Sequence, residues 1–307
     1  MNGLKATIWN RICTTVTDFY RRPLRRSARP YPSDKAMNPA LDPISARLLR
    51  NSQPPGSLAL MYHSVAPGSG TADWHYAVSM QRFRAQLDLL QGEGWRTCQL
   101  ADMAGAALPP RSMVITFDDG YQDNFAAFEE LAKRGMTASW FVVSRDIGAL
   151  AAWQDSGSPQ LPMLSAAQLR EMQAGGMEIG AHSHTHRRLT QCDDTGLVSE
   201  LTQSKATLEN LLQRPVTSLA YPYGAHDDRV VAAARVAGYQ TACTTRTGWA
   251  QAGNDPLQIR RLSIHADDSL SRFARKLAFA DNAVDWLSLL NYAKRQLLAR
   301  LRPARTP

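Results

Sequence analysis

The sequence predicts an α/β protein with a parallel sheet, either doubly wound or closed into a barrel. Short apolar segments of strand length alternate about seven times with longer amphipathic segments of helical period. Several of the helical segments end at glycine, which is common just past a helix C-terminus. No glycine-rich phosphate-binding loop follows the first strand, so the sequence does not favour a nucleotide-binding fold.

The elements follow one another from residue 58 onwards. The strands are runs of apolar and β-branched residues bounded by turn residues, and we predict them at 58–65, 112–120, 138–144, 177–186, 217–224, 239–246 and 259–264. The helices carry apolar residues three and four positions apart, and we predict them at 79–94, 124–135, 165–176, 197–213, 227–238 and about 268–280. This order indicates one large α/β domain with the helices outside the sheet.

The two ends of the chain differ from this domain in charge. Residues 1–55 carry ten Lys and Arg against three Asp, and residues 282–307 carry five against one. Since the whole chain has a formal charge of +8, the part between is slightly acidic, and a nucleic-acid-binding cleft is not indicated. We predict a basic, partly disordered N-terminal extension over 1–55, the α/β domain over 56–281, and a basic amphipathic C-terminal helix and tail over 282–307.

The basic ends also bear on the location of the protein. The predicted C-terminal helix either lies on an anionic membrane surface or packs on the domain. The N-terminus lacks the apolar stretch and cleavage site of a signal peptide, and no apolar run is long enough to span a bilayer. We therefore expect a cytoplasmic protein or one held peripherally at the inner membrane. The four scattered cysteines indicate neither a zinc ribbon nor a disulfide framework.

Residues with catalytic or ligating side chains collect where the predicted strands end. They are His63, Asp118, Asp119, His182, His184, His186, Tyr221, Tyr223 and His265. Because the carboxyl ends of parallel strands meet at one rim, α/β proteins build their sites there. Each motif alone is typical of a turn or a solvated strand end, but their joint occurrence predicts a functional site.

Two adjacent carboxylates at the end of a buried strand call for a compensating cation, since like charges repel and each is costly to bury. His182 and His186 lie on one face of either a helix or a strand, and with one aspartate they form a ligand set typical of catalytic zinc. In this interpretation Asp119 binds the ion and Asp118 takes a proton from water. Neighbours on a regular strand point in opposite directions, so the backbone has to bend, which Gly120 permits.

Three motifs in this order resemble those of the polysaccharide deacetylases of the NodB-homology type, carbohydrate esterase family 4. They are TFDDGY at 116–121, HSHTH at 182–186 and YPYG at 221–224. Two further segments, LMYHSV at 60–65 and DPLQIRRLSI at 255–264, resemble the first strand and a late element of one branch of that family. The resemblance covers about residues 57–280 and implies a distorted (β/α)7-type barrel with the NodB-homology fold.

The resemblance also implies roles for individual residues. Asp118 is the expected base, and Asp119, His182 and His186 are the expected ligands of a divalent metal, either Zn2+ or one of the alternatives Co2+, Ni2+ and Mn2+. The backbone N–H of Tyr223 is expected to stabilise the developing oxyanion. In the histidine motif, Ser183 is expected to support the loop, and His184 is expected not to bind the metal.

Two positions depart from the family pattern. Family members often carry, where this chain has Ala220, an arginine that tethers the base, and Arg261 is the candidate replacement. The general acid is expected at His265, although the branch that shares LMYHSV often lacks or displaces this histidine. His63 on the first strand either contacts the substrate and oxyanion or is a structural histidine.

The predicted function is metal-dependent removal of N-acetyl groups from a GlcNAc-containing polysaccharide, oligosaccharide or glycolipid. One alternative keeps the residues and changes the acyl group, so that the enzyme removes formyl or O-acetyl groups from a sugar. Another alternative is a non-catalytic carbohydrate-binding barrel in exopolysaccharide assembly. The expected partner is the acetylated amino-sugar glycan, with no nucleic acid and with peripheral membrane association through the basic ends.

Overall fold

The computed structural model describes residues 41–66, 74–105, 108–153, 160–251, 253–288 and 290. The strands within these residues are β1 Leu58–Tyr62, β2 Ser64–Ala66, β3 Ala77–Ser79, β4 Arg96–Cys98, β5 Ser112–Phe117, β6 Ser139–Val142, β7 Glu178–Ala181, β8 Ser218–Ala220, β9 Thr241–Cys243 and β10 Leu262–Ser263. The α-helices are α1 Pro43–Arg50, α2 Met80–Gly92, α3 Asn124–Lys133, α4 Ala166–Ala174, α5 Asp194–Leu212, α6 Asp228–Val236 and α7 Leu270–Phe279.

The main sheet is parallel and curls towards closure. Its strand order is β10-β1-β5-β6-β7-β8-β9, and β4 pairs with the first half of β5. A parallel bridge between Cys243 and Ile259 brings the segment before β10 against β9, at the far end of this order. The predicted distorted barrel of alternating strands and helices is therefore confirmed. The pair β2–β3, which the sequence pattern did not predict, forms a separate parallel ribbon.

Burial on both faces of the sheet explains why the sequences of the central strands are continuously apolar. Every residue of β1 and β5 is buried, as expected for central strands of a parallel sheet that is covered on both sides. The helices begin at side-chain caps: Asp193 accepts from the N–H of Gly196 at the start of α5, and Ser165 forms a capping box with Gln168 at the start of α4. Both helices pack beside β7, which supports the strand that leads into the histidine motif.

The N-terminal boundary differs from the prediction. Residues 41–50, which the charge pattern assigned to a partly disordered extension, include the ordered helix α1. Leu49 is fully buried in the core, and the Arg275 guanidinium on α7 donates to the Ser45 hydroxyl at 2.8 Å. Proline and arginine in this segment suggested disorder, whereas the short amphipathic helix finds its partner more than 200 residues away. Residues 1–40 and most of the predicted C-terminal helix lie outside the described residues.

None of the helices within the described residues combines the length and the apolar character needed to cross a bilayer.

Candidate active site

A cavity of about 350 Å³ opens at the carboxyl ends of the parallel strands. It is lined by most of the predicted site residues, together with aromatic and basic residues from the surrounding loops: His63, Trp74, Tyr76, Asp118, Asp119, Trp153, His182, His186, Arg188 and Tyr223. The shared rim predicted for the strand ends is therefore present in the structure.

Asp119, His182 and His186 form a compact buried triplet. The Asp119 Oδ1 atom lies 3.4 Å from His182 Nε2 and 3.3 Å from His186 Nε2, and each residue offers a ligand atom within 4.8 Å of the others. Two atoms bound tetrahedrally at the usual zinc distances are about 3.3 Å apart. The spacing of these donors therefore fits one small divalent cation.

The hydrogen bonds of the triplet support the same conclusion. His182 Nδ1 lies 2.8 Å from the Ala220 carbonyl, so this nitrogen carries the hydrogen and donates it. In the neutral ring, Nε2 then directs a lone pair at the Asp119 carboxylate, an arrangement that repels unless a proton or a cation lies between. Burial raises the pKa of Asp119, but the contacts with the His182 and His186 rings outweigh it and hold the pKa well below its usual value. The donor set is thus suited to a cation.

The backbone around the site adopts left-handed conformations. Positive φ occurs at Asp119 (73°), Ser183 (59°), His186 (62°) and Tyr223 (59°). Four of the seven described non-glycine residues with positive φ therefore lie at this rim, where such strain is commonly retained for function. The chain leaves the extended conformation directly after Asp118 and continues through Gly120 at φ 88°, which provides the bend that the sequence analysis requires.

The histidine motif is a loop, which differs from the predicted strand over 177–186. Strand β7 ends at Ala181, and HSHTH follows it without regular structure. The two ligand candidates share a direction because of the left-handed turns at Ser183 and His186, and not because of helix or strand periodicity. Ser183 supports this loop as expected, since its Oγ accepts from the N–H of His186 at 3.0 Å.

Asp118 has a different partner from its neighbour. The guanidinium of Arg261 donates to both carboxylate oxygens, at 2.6 and 2.8 Å, and also to Thr116 Oγ1 and the Thr244 carbonyl, each at 3.0 Å. Arg261 is fully buried. Arg261 thus tethers Asp118, as the sequence analysis suggested because this chain has Ala220 where the tethering arginine was expected.

This ion pair sets the charge of Asp118. Burial raises the pKa of Asp118, but the positive charge and hydrogen bonds of Arg261 lower it below the usual value. Asp118 is therefore ionised at neutral pH and is able to accept a proton.

Glu200 on α5 binds the loop formed by residues 182–186, which we call the histidine loop. Its carboxylate accepts from the backbone N–H of His184 at 2.9 Å, from the N–H of Thr185 at 2.8 Å and from the Thr185 hydroxyl. Glu200 is buried, and its contacts fix the segment between the two ligand candidates. We consider it a positioning residue, since it does not line the cavity.

Glu200→Gln is expected to weaken metal affinity about 10- to 100-fold, as is typical when support behind a ligand is lost. The amide oxygen can still accept from the two loop N–H groups, but the negative charge is lost and the Thr185 hydroxyl must reverse its hydrogen bond, so the loop is held less firmly. Competition with a chromogenic chelator measures the change. Glu171→Gln, at an exposed glutamate on α4, serves as the control and should bind metal like the wild type.

The structure does not bring His265 to the cavity. Its ring packs 3.9 Å from that of His75, and it is absent from the residues that line the site. Burial, with Lys276 and His75 nearby, lowers the pKa of His265 to about 3, so the ring is uncharged at neutral pH. The proton-donor role predicted for His265 is not supported by its position outside the cavity lining.

His63 is the cavity histidine that lies outside the metal triplet. It lines the cavity between β1 and β2, and its ring packs 4.4 Å from that of Tyr76. Burial lowers the pKa of His63, while Asp119 and Asp118 oppose this shift. Its Nδ1 atom is buried and has no hydrogen-bond partner among the described residues.

The aromatic rim was not predicted. Trp74 and Tyr76 line the cavity with Asp119, His182 and His186, and the tilted Trp153 ring packs 4.6 Å from that of His186. Aromatic residues in loops directly after the first and third predicted strands were the available signal. Flat apolar rings around a polar centre suit a sugar, whose faces are apolar and whose edges form hydrogen bonds.

Comparisons with known proteins agree with this site. Residues 105–242 match the model of the family described as polysaccharide deacetylase. The polysaccharide deacetylase homologue YxkH of Bacillus subtilis (strain 168) is 26% identical over 259 residues, which cover 82% of this chain and 87% of YxkH. The poly-beta-1,6-N-acetyl-D-glucosamine N-deacetylase of Staphylococcus aureus (strain MSSA476) is 22% identical over 245 residues, or 72% of this chain and 82% of that protein.

A solved structure gives the same result for the fold. BC0361, a polysaccharide deacetylase from Bacillus cereus, aligns with a TM-score of 0.62 and 26% identity over 72% of this chain and 68% of its own. The sequence match and the shared barrel extend across the strands that carry the candidate site. Residues 105–242 therefore match the polysaccharide deacetylase family, and the relatives and solved structures similar to this chain are polysaccharide deacetylases, hydrolases that act on carbon–nitrogen bonds.

Proposed function

We propose that this protein is a metal-dependent N-deacetylase that hydrolyses the acetamido group of a GlcNAc-containing glycan. The observation that carries the proposal is that two adjacent carboxylates in one cavity have different partners. The Asp119 carboxylate lies 3.3–3.4 Å from two imidazole nitrogens, and the Asp118 carboxylate accepts hydrogen bonds from a buried arginine. One carboxylate is thus suited to a cation and the other to a proton. The poly-N-acetylglucosamine deacetylase activity named for the Staphylococcus aureus relative supports the choice of substrate.

The metal would be held by Asp119, His182 and His186, with Zn2+ as the first candidate. When bound, a divalent cation makes water more acidic and polarises a carbonyl group. Asp118 would take the proton of the attacking water, because its low pKa keeps it ionised and Arg261 fixes its orientation. The new C–O bond forms first and places negative charge on the carbonyl oxygen; the C–N bond then breaks as the nitrogen gains a proton, and acetate and a free amine leave.

Two further groups complete the proposed reaction. The backbone N–H of Tyr223, in the left-handed turn that lines the cavity, would donate to the developing oxyanion. His63 would contact the acetamido group and pass a proton to the departing nitrogen. A neutral imidazole carries one N–H and one acceptor nitrogen, so it can receive the proton taken by Asp118 and return it to the leaving amine.

Substitution of His63 and of His265 tests which of the two histidines donates the proton. His63→Gln is expected to lower kcat about 100-fold with a smaller change in KM, because proton transfer typically contributes that much. His265→Gln should leave kcat close to the wild-type value, since His265 lies outside the cavity. Steady-state acetate release from chitotriose measures both. The reverse order of effects would return the proton-donor role to His265.

The proposed function is tested by acetate release from N-acetylated chitooligosaccharides. Activity should disappear on dialysis against a chelator and return with Zn2+, Co2+, Ni2+ or Mn2+. Parallel assays with a formylated sugar and an acetyl ester separate the acyl groups. Binding of the oligosaccharides without release of any acyl group, in the metal-loaded protein, would instead indicate a carbohydrate-binding barrel.

A further inference from the structure

A second cavity adjoins the candidate active site. It has a volume of about 320 Å³. The residues that line both cavities are Trp153, His186, Arg188 and Tyr223, and the second cavity is completed by Thr185, Arg187 and Gln191. Because His186 faces both spaces, a group bound in the second cavity lies directly beside the proposed reaction centre.

The described residues that line this second cavity carry positive charge. Arg187 and Arg188 line it, and no aspartate or glutamate among the described residues does. Arg229, on the neighbouring helix α6, pairs with Asp194 at 3.0 Å. Neither Arg187 nor Arg188 forms such a pair with any carboxylate in the part of the chain that the structure describes. Both arginines are exposed, so a ligand can reach them.

Arg188 is held in an orientation that suits an anion. Its guanidinium carbon lies 4.0 Å from the centre of the Tyr223 ring, in a cation–π contact. A cation–π contact leaves the N–H groups of a guanidinium free to form hydrogen bonds, and no carboxylate among the described residues pairs with Arg188. This planar fork matches the two oxygens of a carboxylate or a phosphate.

Glu200 does not neutralise this pair. It lies under the loop that carries Arg187, but its oxygens already accept from two backbone N–H groups and the Thr185 hydroxyl. Its charge is therefore matched by loop donors on the buried side. The arginines remain the charged groups on the open side.

We propose that this cavity is a subsite for an anionic group of the substrate, a carboxylate or a phosphate, next to the acetamido sugar. The inference rests on the proposed function and narrows the substrate to an acidic glycan or a glycosyl phosphate. A neutral GlcNAc homopolymer has no group that pairs with these charges. Its deacetylated product carries ammonium groups, which two arginines would repel.

The subsite is tested by binding, with ligands that lack an acyl group so that no turnover occurs. Full-length, metal-loaded protein is titrated calorimetrically with cellotriose and with cellotriose oxidised to carboxylates at C6, and with glucose and glucose 1-phosphate. One anionic ligand should bind about tenfold more tightly than its neutral counterpart, and added salt should reduce the difference. Oxidised cellotriose tests for recognition of a carboxylate, and glucose 1-phosphate tests for recognition of a phosphate.

Substitution links the preference to the arginines. Arg187→Gln combined with Arg188→Gln should remove the anion preference. Arg214→Gln, at an exposed arginine that lines neither cavity, should retain it. Equal binding of neutral and anionic ligands, binding of none of them, or a preference that survives the double substitution would each overturn the subsite.

Acetate release from chitooligosaccharides is measured separately and reports on the proposed function. Acetate release without a preference for anionic ligands would support the proposed deacetylase function and refute the anionic subsite. A preference for anionic ligands without acetate release from any acetylated glycan would support the subsite and refute the deacetylase function.

Discussion

Asp118→Asn is expected to lower kcat on the order of 10³-fold while the protein keeps its metal. Asparagine is close in shape to aspartate and still accepts a hydrogen bond from Arg261, so the cavity retains its form. It has no charge and cannot take the proton of water at neutral pH. The Asp119, His182 and His186 donors remain in place. Acetate release and elemental analysis on one sample measure the two properties together.

His182→Ala is the matched variant, because it removes a metal donor and leaves Asp118 intact. It is expected to lose both bound metal and activity, since Asp119 and His186 alone offer two of the three donors. Near-full deacetylation by Asp118→Asn would show that the base lies elsewhere. Wild-type metal content in His182→Ala would refute the ligand set.

Arg261→Met is expected to destabilise the folded protein by about 3–5 kcal/mol, because it breaks a buried ion pair and leaves one charge unpaired. Asp118 is almost fully buried beside it, and Thr116 Oγ1 and the Thr244 carbonyl also lose a donor. Methionine fills part of the space, so a cavity is a minor part of the loss. Equilibrium unfolding in urea, with metal present in all samples, measures the difference.

The same substitution should shift the pH dependence of activity. In the wild type, Arg261 holds the pKa of Asp118 below its usual 3.8, so the stabilisation from this group is complete above that pH and is lost as the pH falls below it. Without the guanidinium, burial remains and raises the pKa. The acidic limb of kcat/KM should therefore move to higher pH.

Two variants control for other effects of this change. Arg260→Met alters the adjacent residue, an exposed arginine that donates to the Thr247 carbonyl, and should change stability by less than about 0.5 kcal/mol. Arg261→Lys keeps the charge but loses the paired geometry, and it should fall between the wild type and Arg261→Met. An unchanged acidic limb in Arg261→Met would show that Arg261 does not tune the base.

The fold and the metal triplet follow from local patterns. Strands β1 and β5 are buried on both faces, so their sequences are continuously apolar and can be recognised without a partner. Asp119, His182 and His186 lie where strands end, and the geometry of parallel sheets brings such residues to one rim. The prediction of these features needed only short stretches of chain and the direction of the strands.

Other features depend on contacts that no short stretch contains. The partner of Asp118 is 143 residues away, and the sequence named Arg261 as a candidate without showing that the two side chains meet. His265 also follows a strand, but its ring packs against His75 and does not line the cavity. Strand ends thus identify the rim without giving the direction of each side chain on it.

The sequence alone was sufficient for the alternating strands and helices of the main sheet, the bend at Gly120 and the candidate donors for one cation. Periodicity and turn chemistry act within a few residues, and these features depend on nothing further. The pairing of Asp118 with Arg261, the support of the histidine loop by Glu200 and the arginine cavity required the folded chain. Each of them depends on which side chains meet across the barrel, and that is set by packing among residues far apart in sequence.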